Sequence, residues 1–122
     1  MISLYGCGFV GRNFKEMYND EVEVQDRDER VPVHNDILYM ISTVHNYHVH
    51  DDITRDVDTN LRVLCETLDY CRSKDITFNF VSSWFVYGKG GAIPASEVSV
   101  CNPTGFYSIT KKCAEDLIIS FA

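Results

Sequence analysis

Ile2-Ser3-Leu4-Tyr5-Gly6-Cys7-Gly8-Phe9-Val10-Gly11 is the stretch on which the fold turns. Its first four residues read as a short buried strand, and the apolar spacing through Phe14, Met17 and Tyr18 reads as a helix. Between them stands G-x-G-x-x-G, in the strand-to-helix setting that gives the pattern its meaning. Gly6 permits the tight turn, Gly8 lets a pyrophosphate approach the backbone, and Gly11 lets helix pack closely on strand. A second alternating run, Val22-Glu23-Val24-Gln25-Asp26, ends in an acidic residue twenty positions after Gly6. That is where a dinucleotide fold places its ribose ligand. Gly6, Gly8, Phe9, Val10, Gly11 and Asp26 are therefore candidate cofactor-binding residues.

Asp26 also bears on which dinucleotide is expected. A carboxylate accepts hydrogen bonds from both ribose hydroxyls and repels a 2'-phosphate, so NAD is favoured over NADP. Arg12 and Arg27 lie near enough in sequence to offer a phosphate partner, and solvated surface cations are the plainer reading of both. Arg27, beside Asp26, is kept as a candidate cofactor-binding residue.

Further along, Tyr107 and Lys111 are spaced Tyr-x-x-x-Lys, with Ser83 upstream in Val81-Ser82-Ser83-Trp84-Phe85-Val86-Tyr87-Gly88. On a helix, positions four apart share a face, so an ammonium at 111 can sit beside a phenol at 107. A tyrosine acting as base near neutral pH needs its pKa lowered by about 3 units, roughly 4 kcal/mol of phenolate stabilisation. One nearby cation supplies part of that, and a bound nicotinamide cation more. The spacing alone is common, and an exposed helix pair is its bland reading.

Together these pieces resemble the nucleotide-sugar branch of the extended short-chain dehydrogenase/reductases, the NAD-dependent epimerase/dehydratase family. The resemblance rests on the glycine turn, Asp26 and the strand ending in Ser82-Ser83 before Val86-Tyr87-Gly88. It continues through Ile93-Pro94-Ala95-Ser96-Glu97, Asn102-Pro103 and Phe106-Tyr107-Ser108-Ile109-Thr110-Lys111. It implies Tyr107 as catalytic base, Lys111 as the residue that lowers its pKa and binds the nicotinamide ribose, and Ser83 as the hydroxyl bonding the reacting sugar oxygen. Asn60 falls near the family's Asn-Val-x-Gly-Thr position and is a candidate cofactor-binding residue. Val63 and Leu64 stand where Gly and Thr are usual, so a polar helix-surface residue is its equal alternative.

The chemistry implied is hydride transfer at a carbinol carbon, with Tyr107 taking the hydroxyl proton and Ser83 steadying the oxygen. Dehydratases of the family carry acidic residues between the Ser/Thr and the Tyr-Gly. Trp84 and Phe85 stand there in this chain, which favours an epimerase or simple oxidoreductase. Both aromatics are expected to pack beside a core strand. The alternative from another class is a non-catalytic dinucleotide-binding or interaction module.

The fold expected is α/β: a shortened Rossmann-type parallel sheet with helices on its faces. The 122 residues make one incomplete dinucleotide-binding domain, 1–122, that lacks the family's C-terminal substrate domain. The chain stops inside the helix carrying Tyr107 and Lys111, which reads as truncation. Between Asp26 and Ile37-Leu38-Tyr39-Met40-Ile41 there is too little chain for the usual helix-strand-helix insert. Ten extended residues reach about 33 Å, enough for about 10 Å across two strand spacings and about 17 Å back along a strand. Val31-Pro32-Val33 is then linker, and the sheet face near the second strand is expected to be poorly covered. Exposed apolar surface of this kind suggests a homo-oligomer or a complementing chain.

Ile53, Val57, Leu61, Leu64, Leu68 and Cys71 predict a long amphipathic helix. Ile76 to Ser83 predicts a buried strand, and Gly105 to Phe121 a helix with Ile109, Cys113, Leu117 and Ile118 inward. A second stripe, Val63, Thr67 and Tyr70, suits either a dimer contact of the kind the resemblance implies or core packing. The formal charge of −7, without a basic patch, argues against nucleic acid or anionic membrane as partner. No apolar stretch approaches a signal peptide or spanning helix, which suits a cytoplasmic protein acting on a nucleotide-sugar substrate. Five cysteines lack metal or redox spacing and are expected to be reduced and mostly buried. His45, His48, His50, Asp51 and Asp52 match no strong ligand pattern, so no metal is expected.

Overall fold

Short runs rich in apolar and aromatic residues build a parallel sheet. Its strands are β1 (Ile2–Tyr5), β2 (Val22–Val24), β3 (Asp36–Tyr39) and β4 (Thr77–Phe80). The computed structural model describes residues 1–44, 49–91 and 93–122. Helical elements are α1 (Phe9–Met17), α2 (Arg55–Val57), a π-helical turn at Asp58–Arg62, α3 (Val63–Cys71), a 3-10 turn at Trp84–Tyr87 and α4 (Phe106–Phe121). The chain forms two compact units: residues 1–42 with 63–81, and residues 43–62 with 82–122. The first contains the sheet, α1 and α3. The second contains α2, the π turn, the 3-10 turn and α4.

In the first unit the strand order is β2-β1-β3-β4, every pair parallel. From β1 the chain goes to one side for β2, then crosses to the other for β3, so the topology reverses between β1 and β3. Ligands of open α/β sheets bind at the carboxyl ends of strands at such a point. The α1 helix meets the Leu4 face of β1, closely enough that a Cβ at Gly11 would lie 3.7 Å from Leu4 Cδ2. Lys15 ties the end of α1 to β2 by donating to the carbonyls of Asn19 and Val22.

The opposite face is filled by aromatic rings. Tyr5 and Tyr39 stack with centroids 5.8 Å apart, and Phe78 and Phe80 follow at 5.5 and 6.2 Å from Tyr39. The β2–β3 crossover contains no helix, and Val31-Pro32-Val33 forms no strand. The expectation of a bare face beside it is corrected at β1, where Ser3 and Tyr5 are fully buried. The crossover itself lies against that face. His34 N donates to Ser3 Oγ at 2.9 Å and Tyr5 Oη donates to the Arg30 carbonyl at 3.1 Å. Arg30 then reaches Glu66 on α3, Nε to Oε2 at 3.0 Å. Polar atoms of buried strand residues thus satisfy loop backbone groups that a helix would otherwise have satisfied internally. On β2, Glu23 and Val24 remain exposed.

Tyr39 is buried with no hydrogen-bond partner for its hydroxyl. Thr67 lies near it, but the Thr67 hydroxyl donates to the Val63 carbonyl at 3.1 Å, and the geometry for a bond to Tyr39 is not met. Burial holds both Tyr5 and Tyr39 well above the ordinary phenol pKa.

Four packing expectations are corrected. The helix expected from Ile53 onward is interrupted by the π turn, whose wider winding changes which residues face inward. Asp56 and Asn60 are buried while Ile53 and Val57 are exposed; Leu64, Leu68 and Cys71 are buried as expected. In α4 the buried residues are Ser108, Thr110, Lys111 and Ala114, not Ile109, which is 51% exposed, nor Cys113, Leu117 and Ile118, which are half-buried. Small side chains there let the helix come close to its neighbours. β4 ends at Phe80, so Trp84 and Phe85 sit on the 3-10 turn and are largely exposed. Of the second stripe, Thr67 is buried in the core and Tyr70 is exposed. All five cysteines are free, but Cys71 alone is buried. Among the described residues no helix is long and apolar enough to cross a membrane.

Candidate functional site

The glycine turn divides its tasks by geometry. Gly6 has φ +93°, and a Cβ there would lie 2.7 Å from Met40 C and Ile41 N. No side chain fits. A Cβ at Gly11 would stand 2.4 Å from the Gly6 carbonyl oxygen, so the first turn of α1 rests directly on the loop. Around Gly8 there is open space, with nothing within 4 Å of where its Cβ would be. Gly8 is also the N-cap of α1 and brings no side-chain cap, and Phe9 and Val10 are exposed in the first turn. Uncapped N–H groups beside open space fit an anion such as a pyrophosphate.

Asp26 stands where this loop can use it. The β1–β2 register pairs Ile2 with Val22 and Leu4 with Val24, an offset that carries on to set Asp26 level with Gly6. Gln25 N extends the pairing by donating to the Leu4 carbonyl at 2.9 Å, and Asp26 is exposed just beyond. Arg27 is exposed too, its carbonyl accepting from Arg30 Nη1 at 2.9 Å. The first unit therefore gathers Gly6, Gly8, Phe9, Val10, Gly11, Asp26 and Arg27 along one strand-end edge.

The second unit holds the residues expected to move a proton. α4 packs on α2, the π turn and the 3-10 turn, and carries Tyr107 and Lys111 one helical turn apart. Tyr107 is half-buried, with its ring edge-on to Phe85 at a centroid distance of 6.2 Å. Lys111 is only 2% exposed. Burial pushes its pKa down to about 8, against the opposing pull of the Glu115 carboxylate. Ser83 caps the 3-10 turn by accepting from Phe85 N at 3.3 Å. Gly88, at φ +72°, closes that turn where a Cβ would collide with the Asn102 carbonyl.

Asn60 is neither a surface residue nor open to a ligand through its side chain. Its Oδ1 accepts from Thr43 N at 2.8 Å, and its Nδ2 donates to Thr43 Oγ1 at 2.9 Å and to Thr110 Oγ1 at 3.0 Å. Thr43 Oγ1 in turn donates a hydrogen bond to Asp56 Oδ1, and the Thr110 hydroxyl donates to the carbonyls of Phe106 and Tyr107. Every donor in this chain finds an acceptor, so the network locks the π turn to the first turn of α4, next to Tyr107. Sequence reasoning missed Thr43, Asp56 and Thr110, since nothing in their spacing connects them. It also missed Glu115, which the interval of four after Lys111 could have indicated.

Among the described residues no group of three His, Cys, Asp or Glu side chains is placed to hold a metal ion. His45 and His48 lie outside the described residues.

Solved structures of similar fold include RMD from Pseudomonas aeruginosa complexed with NADPH, at 20% identity and TM-score 0.81, covering 98% of this chain and 48% of that one. UDP-glucose 4-epimerase from Thermotoga maritima with UDP-glucose matches at 17% identity and TM-score 0.82, covering 99% and 50%. UDP-glucose 4-epimerase from Brucella ovis in complex with NAD matches at 18% identity and TM-score 0.82, covering 99% and 47%. The chain thus spans about half the length of the structures it resembles. These likenesses establish the fold. No curated protein matches in sequence. The profile of the NAD dependent epimerase/dehydratase family matches residues 12–122, beginning just past the glycine turn and running through Ser83, Tyr107 and Lys111, and the chain belongs to that family.

Proposed function

We propose that this chain is the cofactor-binding and proton-transfer part of an NAD-dependent nucleotide-sugar epimerase or oxidoreductase. The observation that carries this reading is Lys111, a buried ammonium with its pKa lowered to about 8, one helical turn from Tyr107. A fold keeps such a group at a cost, and perturbed titratable residues concentrate at functional sites. Gly8, the first turn of α1 and Asp26 would hold a nicotinamide dinucleotide, with NAD favoured because the Asp26 carboxylate repels a 2'-phosphate. Arg27, beside it, is the group that would favour NADP. When bound, the nicotinamide supplies the acceptor and donor of hydride.

The chain's own residues supply the proton chemistry. Tyr107, as phenolate, takes the proton of a sugar hydroxyl. Lys111 favours that phenolate through its positive charge. Ser83 has an oxygen already engaged by Phe85 N and offers its own proton to the reacting sugar oxygen. Asn60, a candidate cofactor-binding residue, acts instead by bracing Thr110 beside Tyr107 and Lys111. Because the chain spans about half the length of the related structures, tight sugar binding is expected to need polypeptide beyond these residues. That half-length coverage also favours a second reading, a dinucleotide-binding module without catalysis.

Thermal shift with NAD, NADP and UDP-sugars, followed by turnover assays, separates these readings, because a ligand stabilises the state it binds. The enzyme reading expects stabilisation by NAD and turnover abolished in Tyr107→Phe. Turnover that survives Tyr107→Phe refutes the mechanism; no stabilisation by NAD removes both readings; stabilisation by NAD and by a UDP-sugar without any turnover selects the module.

A further inference from the structure

We propose that Glu115 is a positioning residue for the proton-transfer group: it clamps Ser82, and with it the segment bearing Ser83, to the helix that bears Tyr107 and Lys111. The inference rests on the reading of those three residues given above and adds a fourth that the reading does not use.

The geometry lies within one unit. Ser82 Oγ donates to Glu115 Oε1, while Glu115 Oε2 lies 3.9 Å from Lys112 Nζ. The backbone at Ser83 is extended, with φ −144° and ψ 142°, so the side chains of Ser82 and Ser83 leave it on opposite sides. Ser82 is thereby spent on the helix, while Ser83 Oγ accepts from Phe85 N and keeps its own O–H for another acceptor. On α4, Glu115 follows Lys111 by four residues and shares its face. The same carboxylate therefore does two things. It anchors the Ser83 segment by a charge-assisted hydrogen bond, and it holds positive charge on Lys111 against the effect of burial. An apolar residue at 115 would do neither.

Two substitutions separate these actions in the ligand-free protein. Glu115→Gln keeps an acceptor for Ser82 and removes the charge; Ser82→Ala keeps the charge and removes the tie. Side-chain NMR of the lysines, with Lys111→Arg identifying the signal, is expected to show the Lys111 midpoint falling by about half a unit or more in Glu115→Gln. Amide hydrogen exchange at Phe85 and Val86, whose N–H groups bond to Ser83, is expected to quicken about tenfold in Ser82→Ala and to return in Ser82→Thr. An unmoved Lys111 midpoint in Glu115→Gln, or unchanged exchange in Ser82→Ala, overturns the proposal. If Glu115→Gln does not fold, the exchange result in Ser82→Ala decides. NAD thermal shift on the wild type reads the proposed function separately: no response there, with both NMR effects present, removes the function and leaves the clamp.

Discussion

Lys111 carries its ammonium into a place where 2% of the residue meets solvent, and burial lowers its pKa from 10.5 to about 8. The sign of the stability effect follows. Between pH 8 and 10.5 the unfolded chain holds a proton that the folded chain has given up, so this residue makes stability rise with pH across that window. At pH 7 the buried charge opposes folding by at most about 3 kcal/mol. Lys111→Met is therefore expected to stabilise the protein by about 1–2 kcal/mol at pH 7, less than the full amount because the lysine's own contacts are lost as well. That gain is expected to vanish above pH 10.5, as measured by urea unfolding across pH. The spacing of Tyr107 and Lys111 was legible in the sequence, because four residues of helix set it. The burial was not, since it depends on Ser108, Thr110 and Ala114 letting α4 approach its neighbours. Asn60 shows the same limit. Its position on a helix was readable, whereas its three bonds to Thr43 and Thr110 join residues up to fifty positions apart.

Among the elements, the glycine turn and the interrupted helix respond differently to change. Gly6→Ala is expected to cost at least about 2 kcal/mol, because φ is +93° and the new Cβ meets the backbone of Met40 and Ile41. Gly8→Ala is expected to shift stability by no more than about 0.5 kcal/mol, since its Cβ enters open space at an N-cap. Yet Gly8→Ala is expected to remove the thermal response to NAD, where the pyrophosphate would meet the added methyl. Urea unfolding and thermal shift on both variants check this pair; a Gly8→Ala protein that still responds to NAD contradicts the assigned cradle. This element was readable because its glycines are demanded by local backbone geometry. The helix from Arg55 to Cys71 was readable only in its second half. The π turn at Asp58–Arg62 changes the phase, and buried polar partners, not apolar spacing, select Asp56 and Asn60 for the interior.

For the whole molecule, the aromatic layer beneath α3 links packing to alkaline stability. Tyr5 and Tyr39 keep their protons in the folded state well beyond the ordinary phenol value of 10.0. Above pH 10 the unfolded chain loses phenol protons that the folded chain retains, so these two residues make stability fall as pH rises. Urea midpoints measured through that range are expected to decline, with the phenolate absorbance of Tyr5 and Tyr39 appearing only on unfolding, and Tyr39→Phe is expected to flatten the decline. Tyr39→Phe also removes a buried hydroxyl that lacks a partner. By itself, the sequence determined the parallel α/β plan, the shortened crossover, the glycine turn with Asp26 level beside it, and the Tyr-Lys pair. All follow from local backbone demands and short-range periodicity. Only the tertiary structure decided that the crossover would be pinned over Ser3 and Tyr5, that Asn60 would brace Thr110, and that Glu115 would hold Ser82. Each of those depends on polar side chains meeting partners distant in sequence, and desolvation, which makes an unpaired polar group costly, is felt only once the chain has closed around them.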